Sequence, residues 1–526
     1  MTDLNKLHQE RIEEAHAALN KNVAAVDRSM YPGYHLTPPA GWMNDPNGVI
    51  YYKGYYHVFY QHHPFSAEEG KLIYWGHARS KDLCYWEHLP IALAPSIEED
   101  KDGCFSGCAV INDDDELCLI YTAHRWGGEW GDDTNVNEVQ AIATSKDGIH
   151  FNDKKVVLSK PPEEGVTHFR DPRVWREDKE WFMVIGYRTD DKNGHGVGKV
   201  AVYKSADLYD WSFVSTLAED DEMLPPGKRS FMWECPDFFP LDGKHVLLMS
   251  PQGLEDENKE RFLNLFQNGC IIGEYKDGKF TAETEFEELD FGHEFYAAQH
   301  IDGPDGRCVL IGWFDMWAND KPSQKHGWAG MMTLPRDLRI EDGLVRMTPS
   351  PELKGLRKND KPVTIDTSPL KDGEERSLEI NDGPLQELRV TLDLKATDAS
   401  EFGIEFHVDK KTGASTRLYV DRKLDRLVLD REYTGDSPSQ SAFKRTCVLP
   451  KGDTLVLHIF LDRPSIEVFI GNGKSEGLYS MSSRTFPTPA QQDAHLFAKG
   501  GSLTLTSFER WTLKDTYAFE PLTYGA

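Results

Sequence analysis

Three textures of hydrophobic and polar positions follow one another along the chain. Leu4, Leu7, Ile12, Ala15, Leu19, Val23 and Val26 recur at mostly three- and four-residue steps with charged residues between them. That spacing predicts an amphipathic helix over residues 4–27, packed on a domain surface, with an oligomer contact as the other reading of the same stripe. From Tyr31 the helical period is lost and short apolar runs take over: Tyr55 to Tyr60, Leu117 to Tyr121, Trp181 to Tyr187, His245 to Met249 and Cys308 to Phe314. A polar stretch dotted with Pro349, Pro351, Pro362 and Pro369 then reads as a linker over residues 346–377. Beyond it comes strict alternation: Leu388, Val390, Leu392 and Leu394 share one face, and Ile466, Val468 and Ile470 repeat the pattern before a Gly471-Asn472-Gly473 turn. With Leu418 to Val420, Leu427 to Leu429 and Leu503/Leu505, this predicts a β-sandwich of about 150 residues.

The middle region repeats itself. Steps of 63 residues from Asp45 reach Cys108, Asp171, Glu234 and Ala297, and an apolar strand begins about ten residues after each. Five units of one length, rich in Gly and aromatics, predict radial stacking of one supersecondary unit. A five-bladed β-propeller over residues 31–345 fits, so the expected order is helix (1–30), propeller, linker and sandwich (378–526), an all-β fold. In a propeller, equivalent positions face one axis. Three of the five carry an acid, so Asp45, Asp171 and Glu234 are expected to converge, an arrangement that glycoside hydrolysis can use. Asp45-Pro46-Asn47-Gly48 has the residues of a type I turn, which would hold the Asp45 carboxylate on a rigid backbone.

Composition narrows the partners. The 526 residues carry a net charge of −28, which argues against nucleic acid and anionic membranes and weighs mildly against a phosphorylated substrate. No run of eighteen apolar residues occurs and no apolar segment opens the chain, so neither a membrane span nor a secretory signal is expected. The eight cysteines form no CxxC pair and read as reduced thiols of a cytoplasmic protein, with Cys235 a packing residue and no metal or cofactor implied. The 13 Trp, 20 Tyr and 26 Phe can build cores and leave aromatics over for sugar stacking.

Taken in order, WMNDPNG (42–48), QHHP (61–64), YWGHA (74–78), FSG (105–107), FRDP (169–172), WECPD (233–237), GW (312–313) and LPR (334–336) resemble the motifs of glycoside hydrolase family 32, and LHIFLDRPSIEVF (457–469) resembles its sandwich module. The resemblance covers nearly everything from residue 31 to 510. It implies a retaining β-fructofuranosidase acting on sucrose and short fructooligosaccharides, with Asp45 as nucleophile, Glu234 as general acid/base and Asp171 as transition-state stabiliser. Arg170 would hold Asp171 ionised, while Trp233, Cys235 and Pro236 would desolvate Glu234. Asn44, Gln61, Ser106 and Arg170 match polar sugar contacts, and Trp42, Phe105 and Trp313 match apolar walls; His57, His62 and His63 are expected to be structural. Two departures bear on the leaving group: Glu69 stands where many members carry a pocket Trp, and Tyr296-Ala297-Ala298-Gln299 replaces Tyr-Ala-Pro-Gln. A sucrose-6-phosphate hydrolase, a fructosyltransferase on the same site, and a non-catalytic carbohydrate-binding propeller are the alternatives. Loss of Asp45 or Glu234 would have favoured the last, and both are present.

Overall fold

The computed structural model describes residues 3–254, 261–276, 278–380, 382–438 and 442–517. Five antiparallel sheets follow in sequence. Blade I comprises Gly41–Tyr52, Tyr55–His63, Tyr74–Ser80 and Trp86–Leu93; blade II comprises Gly103–Ile111, Leu117–Trp126, Val136–Ser145 and Asn152–Leu158. Blade III comprises His168–Glu177, Glu180–Asp190, Gly196–Ser205 and Ser212–Glu219; blade IV comprises Trp233–Leu241, Lys244–Pro251, Gly269–Lys276 and Lys279–Ala282, with Glu287–Glu288 also pairing Gly269–Lys276. Blade V comprises Tyr296–Asp302, Cys308–Trp313, Arg336–Glu341 and Leu344–Pro349. The first strand of each blade touches the first strand of the next, and that of blade V touches that of blade I, so these five inner strands line one axis. The ring is also tied by Trp328–Ala329, which pairs in parallel with Gly41 and Trp42 of blade I. Gly330 makes this approach feasible: its φ is +81° and a Cβ there would lie 1.9 Å from the Met43 carbonyl.

The continuous apolar runs have a physical cause. Each blade is buried on both faces, so successive residues serve different cores. Leu119 and Tyr121 pack toward blade I with Phe59 and Trp75, whereas Cys118 and Ile120 pack toward blade III with Met183 and Ile185. Val184 and Val200 meet Leu247 and Met249 of blade IV; Leu248 and Ile272 meet Leu310 of blade V; Val309 and Ile311 meet Val58 and Tyr60 of blade I.

Past the propeller two sheets stack. One contains Glu375–Ser377, Glu401–Val408, Thr416–Asp421, Arg426–Asp430, Lys444–Val448 and Asp493–Lys499; the other contains Gln386–Asp393, Thr454–Asp462, Ser465–Gly471, Tyr479–Arg484 and Leu505–Thr512. Leu388, Val390 and Leu392 meet Phe402, Ile404, Leu418 and Leu427 between them. The sandwich joins the propeller through buried ions: Arg336 of blade V bonds Asp290 at 2.9 Å and Glu467 at 2.5 Å, and His35 bridges Asp462 and Glu467 at 2.7 and 2.8 Å. The helix spans Asp3–Val23 and lays Ile12, Ala15 and Leu19 against Tyr74, Ile91 and Ala94 of the propeller. Among the described residues no helix is long and apolar enough to cross a membrane.

Two local expectations are corrected. Asp45-Pro46-Asn47-Gly48 does not reverse the chain: it lies inside the strand Gly41–Tyr52, where pairing with its neighbour absorbs it as irregularities between Met43 and Pro46 and between Asn47 and Ile50. The polar texture beginning at residue 346 is not linker at first, because Leu344–Pro349 is the outer strand of blade V, burying Val345 and Met347 and ending on a Pro that an edge strand tolerates.

Candidate active site

All five inner strands break register close to the 63-residue points, at Asn44–Asp45, Ser106, Asp171–Pro172, Cys235–Pro236 and Ala297–Ala298. A β-bulge bends a strand and re-aims its side chains, and here five bulges stand around one axis. Asp171, Cys235 and Ala297 take the left-handed φ of 68°, 48° and 50° that such bends demand. The spacing is not strict. Glu234 is the last paired residue before its bulge, Asp171 the first residue inside, and Asp45 the second. In blade II the bulge falls at Ser106; Cys108, reached by counting 63, lies in the core between blades II and III because the strand has resumed its alternation by then.

The acids line one pocket of about 630 Å³. Asp45 is 6% exposed and accepts from Ser106 Oγ at 2.9 Å and Asn44 Nδ2 at 3.3 Å. Asn44 in turn donates to Gln61 Oε1 at 2.9 Å and accepts from the Trp42 indole at 2.7 Å, while Gln61 donates to Ser106 at 2.5 Å. Asp171 is 5% exposed; its carboxylate accepts the Cys235 backbone N–H at 2.9 Å, and its own N–H donates to Thr122 Oγ1 at 2.9 Å. The Cys235 thiol lies 3.7 Å from both Asp45 Oδ2 and Asp171 Oδ2. Glu234 accepts Arg170 Nη2 at 2.8 Å and Nε at 3.2 Å on one oxygen and the Tyr296 hydroxyl on the other. Arg170 also reaches Glu138 at 3.3 Å and His168 at 2.8 Å.

Burial, with Glu234 nearby, pushes the Asp45 carboxyl up to about 6. Burial pushes Asp171 further, to about 8; Arg170 opposes the rise and Glu234 adds to it. Both Asp carboxyls are thus held above the ordinary carboxyl range, and Asp171 retains its proton near neutrality. Burial also works against ionising Glu138, yet Arg170 and His124 hold it down at about 2. The Cys235 thiol is pushed up by burial and by the two Asp carboxylates, as suits a packing residue.

Most sugar contacts expected from the motifs are at this pocket: Trp42, Asn44, Gln61, Phe105, Ser106 and Arg170 line it. Trp313 does not. It is fully buried behind Trp317, whose ring centroid is 4.9 Å away and which takes the wall position, because the chain leaves its strand just after Trp313. Trp233 is also turned away, donating its indole N–H to Asp220 at 2.6 Å within the core between blades III and IV, so it does not desolvate Glu234. Glu69 is not in the lining either; it pairs with Lys321 at 3.5 Å. His57, His62 and His63 make structural bonds, to His77, the Trp42 carbonyl and the Leu72 carbonyl respectively.

Four contributors carried no assigned role in the sequence. Tyr296 was visible as a motif residue, but Glu138 gave no signal. Trp126 and Trp130 line the mouth, with Trp130 bonded to the Gly70 carbonyl at 2.9 Å, supplying aromatic surface next to the segment that lacks the pocket Trp.

Family models agree with this architecture: the glycosyl hydrolases family 32 N-terminal domain matches residues 35–351 and the family 32 C-terminal domain matches residues 352–512. Over 506 residues, the chain is 50% identical to a sucrose-6-phosphate hydrolase of Zymomonas mobilis, covering 96% of each, and 41% identical to a raffinose invertase of Escherichia coli, covering 96% of this chain and 100% of the relative. Among solved structures, a Bombyx mori β-fructofuranosidase in complex with sucrose superposes with a TM-score of 0.78 at 34% identity, covering 96% of this chain and 98% of that one. A sucrose-6-phosphate hydrolase from Lactobacillus gasseri superposes with a TM-score of 0.80 at 26% identity, covering 96% and 97%.

Proposed function

The chain belongs to glycoside hydrolase family 32, and from that membership and the pocket's geometry we propose that it is a retaining β-fructofuranosidase that cleaves the fructosyl bond of sucrose and short fructooligosaccharides. The carrying observation is that Asp45, Asp171 and Glu234, from the inner strands of three blades, meet in one pocket, with Arg170 bonded to Glu234 and Ser106 to Asp45. Asp45 attacks the anomeric carbon of fructose as Glu234 protonates the departing glycosidic oxygen. Glu234, now a carboxylate, takes a proton from water, which attacks the same carbon and releases Asp45. Asp171 bonds fructose hydroxyls, and those bonds tighten as the ring flattens toward an oxocarbenium ion. Arg170 and Tyr296 hold the Glu234 carboxyl in place through both strokes.

Charge favours the unphosphorylated sugar, although several relatives are named sucrose-6-phosphate hydrolases. The lining carries Asp45, Asp102, Asp133, Glu138, Asp171 and Glu234 against Arg170 and Lys71. Arg170 is committed to Glu138 and Glu234, and Lys71 pairs with Glu68 at 3.3 Å. A phosphate dianion would add charge of the wrong sign to an already acidic cleft. The eight cysteines are all buried and free, which suits a reducing, cytoplasmic setting.

The test is a product profile. Wild type on concentrated sucrose should release equal glucose and fructose, with the first-formed fructose retaining the β configuration, and Glu234→Ala should release neither while melting as a folded protein. Glucose in excess over fructose would make it a transferase. Retained turnover in Glu234→Ala, or higher kcat/KM on sucrose 6-phosphate than on sucrose, would overturn the assignment.

A further inference from the structure

The pocket wall contains a segment that no sheet holds. Between Trp313 and the short 3₁₀ helix Pro322–His326 the chain forms a loop, residues 314–321, that presents Trp317 to the pocket. Loops owe their conformation to side-chain bonds more than to strand pairing, and the bonds here are buried. Within the loop, Asp315 Oδ1 accepts the Met316 N–H at 2.7 Å, and Lys321 donates to the carbonyls of Met316 at 2.9 Å and Asn319 at 2.5 Å. Lys321 also stands 5.9 Å from the centre of the Trp42 ring and 3.5 Å from Glu69, so it ties this loop to blade I.

The anchor of the loop comes from the other domain. Arg484, at the end of the sandwich strand Tyr479–Arg484, places Nη2 2.5 Å from Asp315 Oδ1 and donates to the Asp320 carbonyl at 3.1 Å. Both side chains are buried, Arg484 at 2% and Asp315 at 0%. The Arg484 backbone N–H bonds Glu294 at 2.9 Å, and Glu294 is held by Arg431 of the sandwich at 2.7 Å and by Asn319 of the loop at 2.6 Å. From the loop the contacts continue to the nucleophile. Trp317 stacks on Trp42 at 5.8 Å and 26°, the Trp42 indole bonds Asn44, and Asn44 bonds Asp45.

We propose that Arg484 of the β-sandwich is a positioning residue of the sugar pocket: through Asp315 it fixes the loop that carries Trp317, and so sets the apolar wall against which the substrate binds. The inference rests on reading this pocket as the sugar site. It gives the sandwich a part in substrate binding without any sugar contact of its own. It also accounts for Glu69, which serves as a partner of Lys321 in the same loop and not as a pocket residue.

The experiment compares wild type, Arg484→Met, Arg484→Lys, Trp317→Ala and the Arg484→Met/Trp317→Ala double variant on sucrose, with melting curves for each. A misplaced wall should raise KM by about tenfold or more in Arg484→Met, with kcat within about threefold, since small displacements of binding groups are costly. Arg484→Lys should recover part of the loss. Because Arg484 acts through Trp317, its removal should add little to KM once Trp317 is Ala. A folded Arg484→Met with unchanged KM, or additive effects in the double variant, overturns the proposal. If Arg484→Met does not fold, Asp315→Asn/Arg484→Met, which leaves no buried charge unpaired, is read in the same way. A wild type inactive on every fructoside tried would defeat the proposed function instead. Amide exchange of residues 314–321 then decides this inference: faster exchange in Arg484→Met supports it and unchanged exchange overturns it.

Discussion

Arg170 places two guanidinium nitrogens on a single oxygen of Glu234, Nη2 at 2.8 Å and Nε at 3.2 Å. The same guanidinium reaches Glu138, which is nearly inaccessible at 2% and has no other Arg or Lys beside it among the described residues. Arg170→Met should therefore do two things. It should cost roughly a hundredfold to a thousandfold in kcat/KM, as removal of a charged group oriented toward the reacting atoms does. It should also destabilise the protein by about 3–5 kcal/mol, because it strands a buried carboxylate. Steady-state kinetics and denaturant melts check both, and Arg170→Lys should rescue stability more than rate, since one ammonium cannot hold both carboxylates as the planar fork does.

Asp45 illustrates a site that works against its own fold. Its folded value of about 6 lies above the ordinary 3.8, mainly through burial. The folded state thus holds the Asp45 proton more tightly than the unfolded chain does. Below about pH 4 both states are protonated and nothing is lost; as pH rises through 6 the buried charge forms and stability falls. Asp45→Asn should abolish turnover and yet stabilise the protein at pH 7 by up to roughly 3 kcal/mol, the energy of the shift. Melts of both proteins at pH 7 and pH 4 should show the gain at the first and its disappearance at the second.

The rate should follow a bell. Below about 6 Asp45 is protonated and cannot attack; above about 8 Asp171 gives up the proton that burial holds on it, and the buried pocket gains a second Asp charge beside Asp45. The profile of kcat/KM against pH should therefore show apparent values near 6 and 8 that belong to the interacting Asp45 and Asp171 carboxyls. Ser106 donates to Asp45 at 2.9 Å and favours its charged form. Removing that donor in Ser106→Ala should move the acid limb to higher pH, and an unmoved or lowered limb would contradict the assignment of that limb to Asp45.

How much of this was legible before the structure divides along physical lines. The repeat and the three acids could be read because bulged inner strands demand unusual residues, among them Asp-Pro, Cys-Pro and Asn-Asp, close to a fixed interval. The error at Cys108 came from the same source: a bulge adds a residue to one strand, so arithmetic spacing drifts while geometry does not. Asp45-Pro46-Asn47-Gly48 was misread as a reversing turn because turns and bulges ask for the same residues. Trp233, Trp313 and Trp317 could not be sorted by sequence, since an aromatic on a strand faces core or pocket according to register, and Trp317 lies on a loop whose course is set by contacts distant in sequence. The partners reached across blades, Glu138 with Arg170, and across domains, Arg484 with Asp315, lie 32 and 169 residues apart and leave no local pattern.

The junction of the two domains should carry its own dependence on pH. His35 is fully buried between Asp462 at 2.7 Å and Glu467 at 2.8 Å, with Arg336 on the far side of Glu467 at 2.5 Å and Tyr34 stacked at 4.8 Å. Burial opposes the imidazolium, but the two carboxylates outweigh it and raise His35 from 6.5 to about 9. A cation held above its unfolded value stabilises the fold fully below about 6.5, and the contribution is lost as pH rises through 9. The shift corresponds to roughly 3 kcal/mol. His35→Gln should accordingly melt well below wild type at pH 6.5. The gap should narrow by pH 9.5, as wild type itself gives up the charge. Scanning calorimetry resolves the propeller and sandwich transitions if they separate, and the mutation should bring that separation on at lower pH. A gap that stays constant from pH 6.5 to 9.5 would mean that His35 is held neutral and contributes by packing alone.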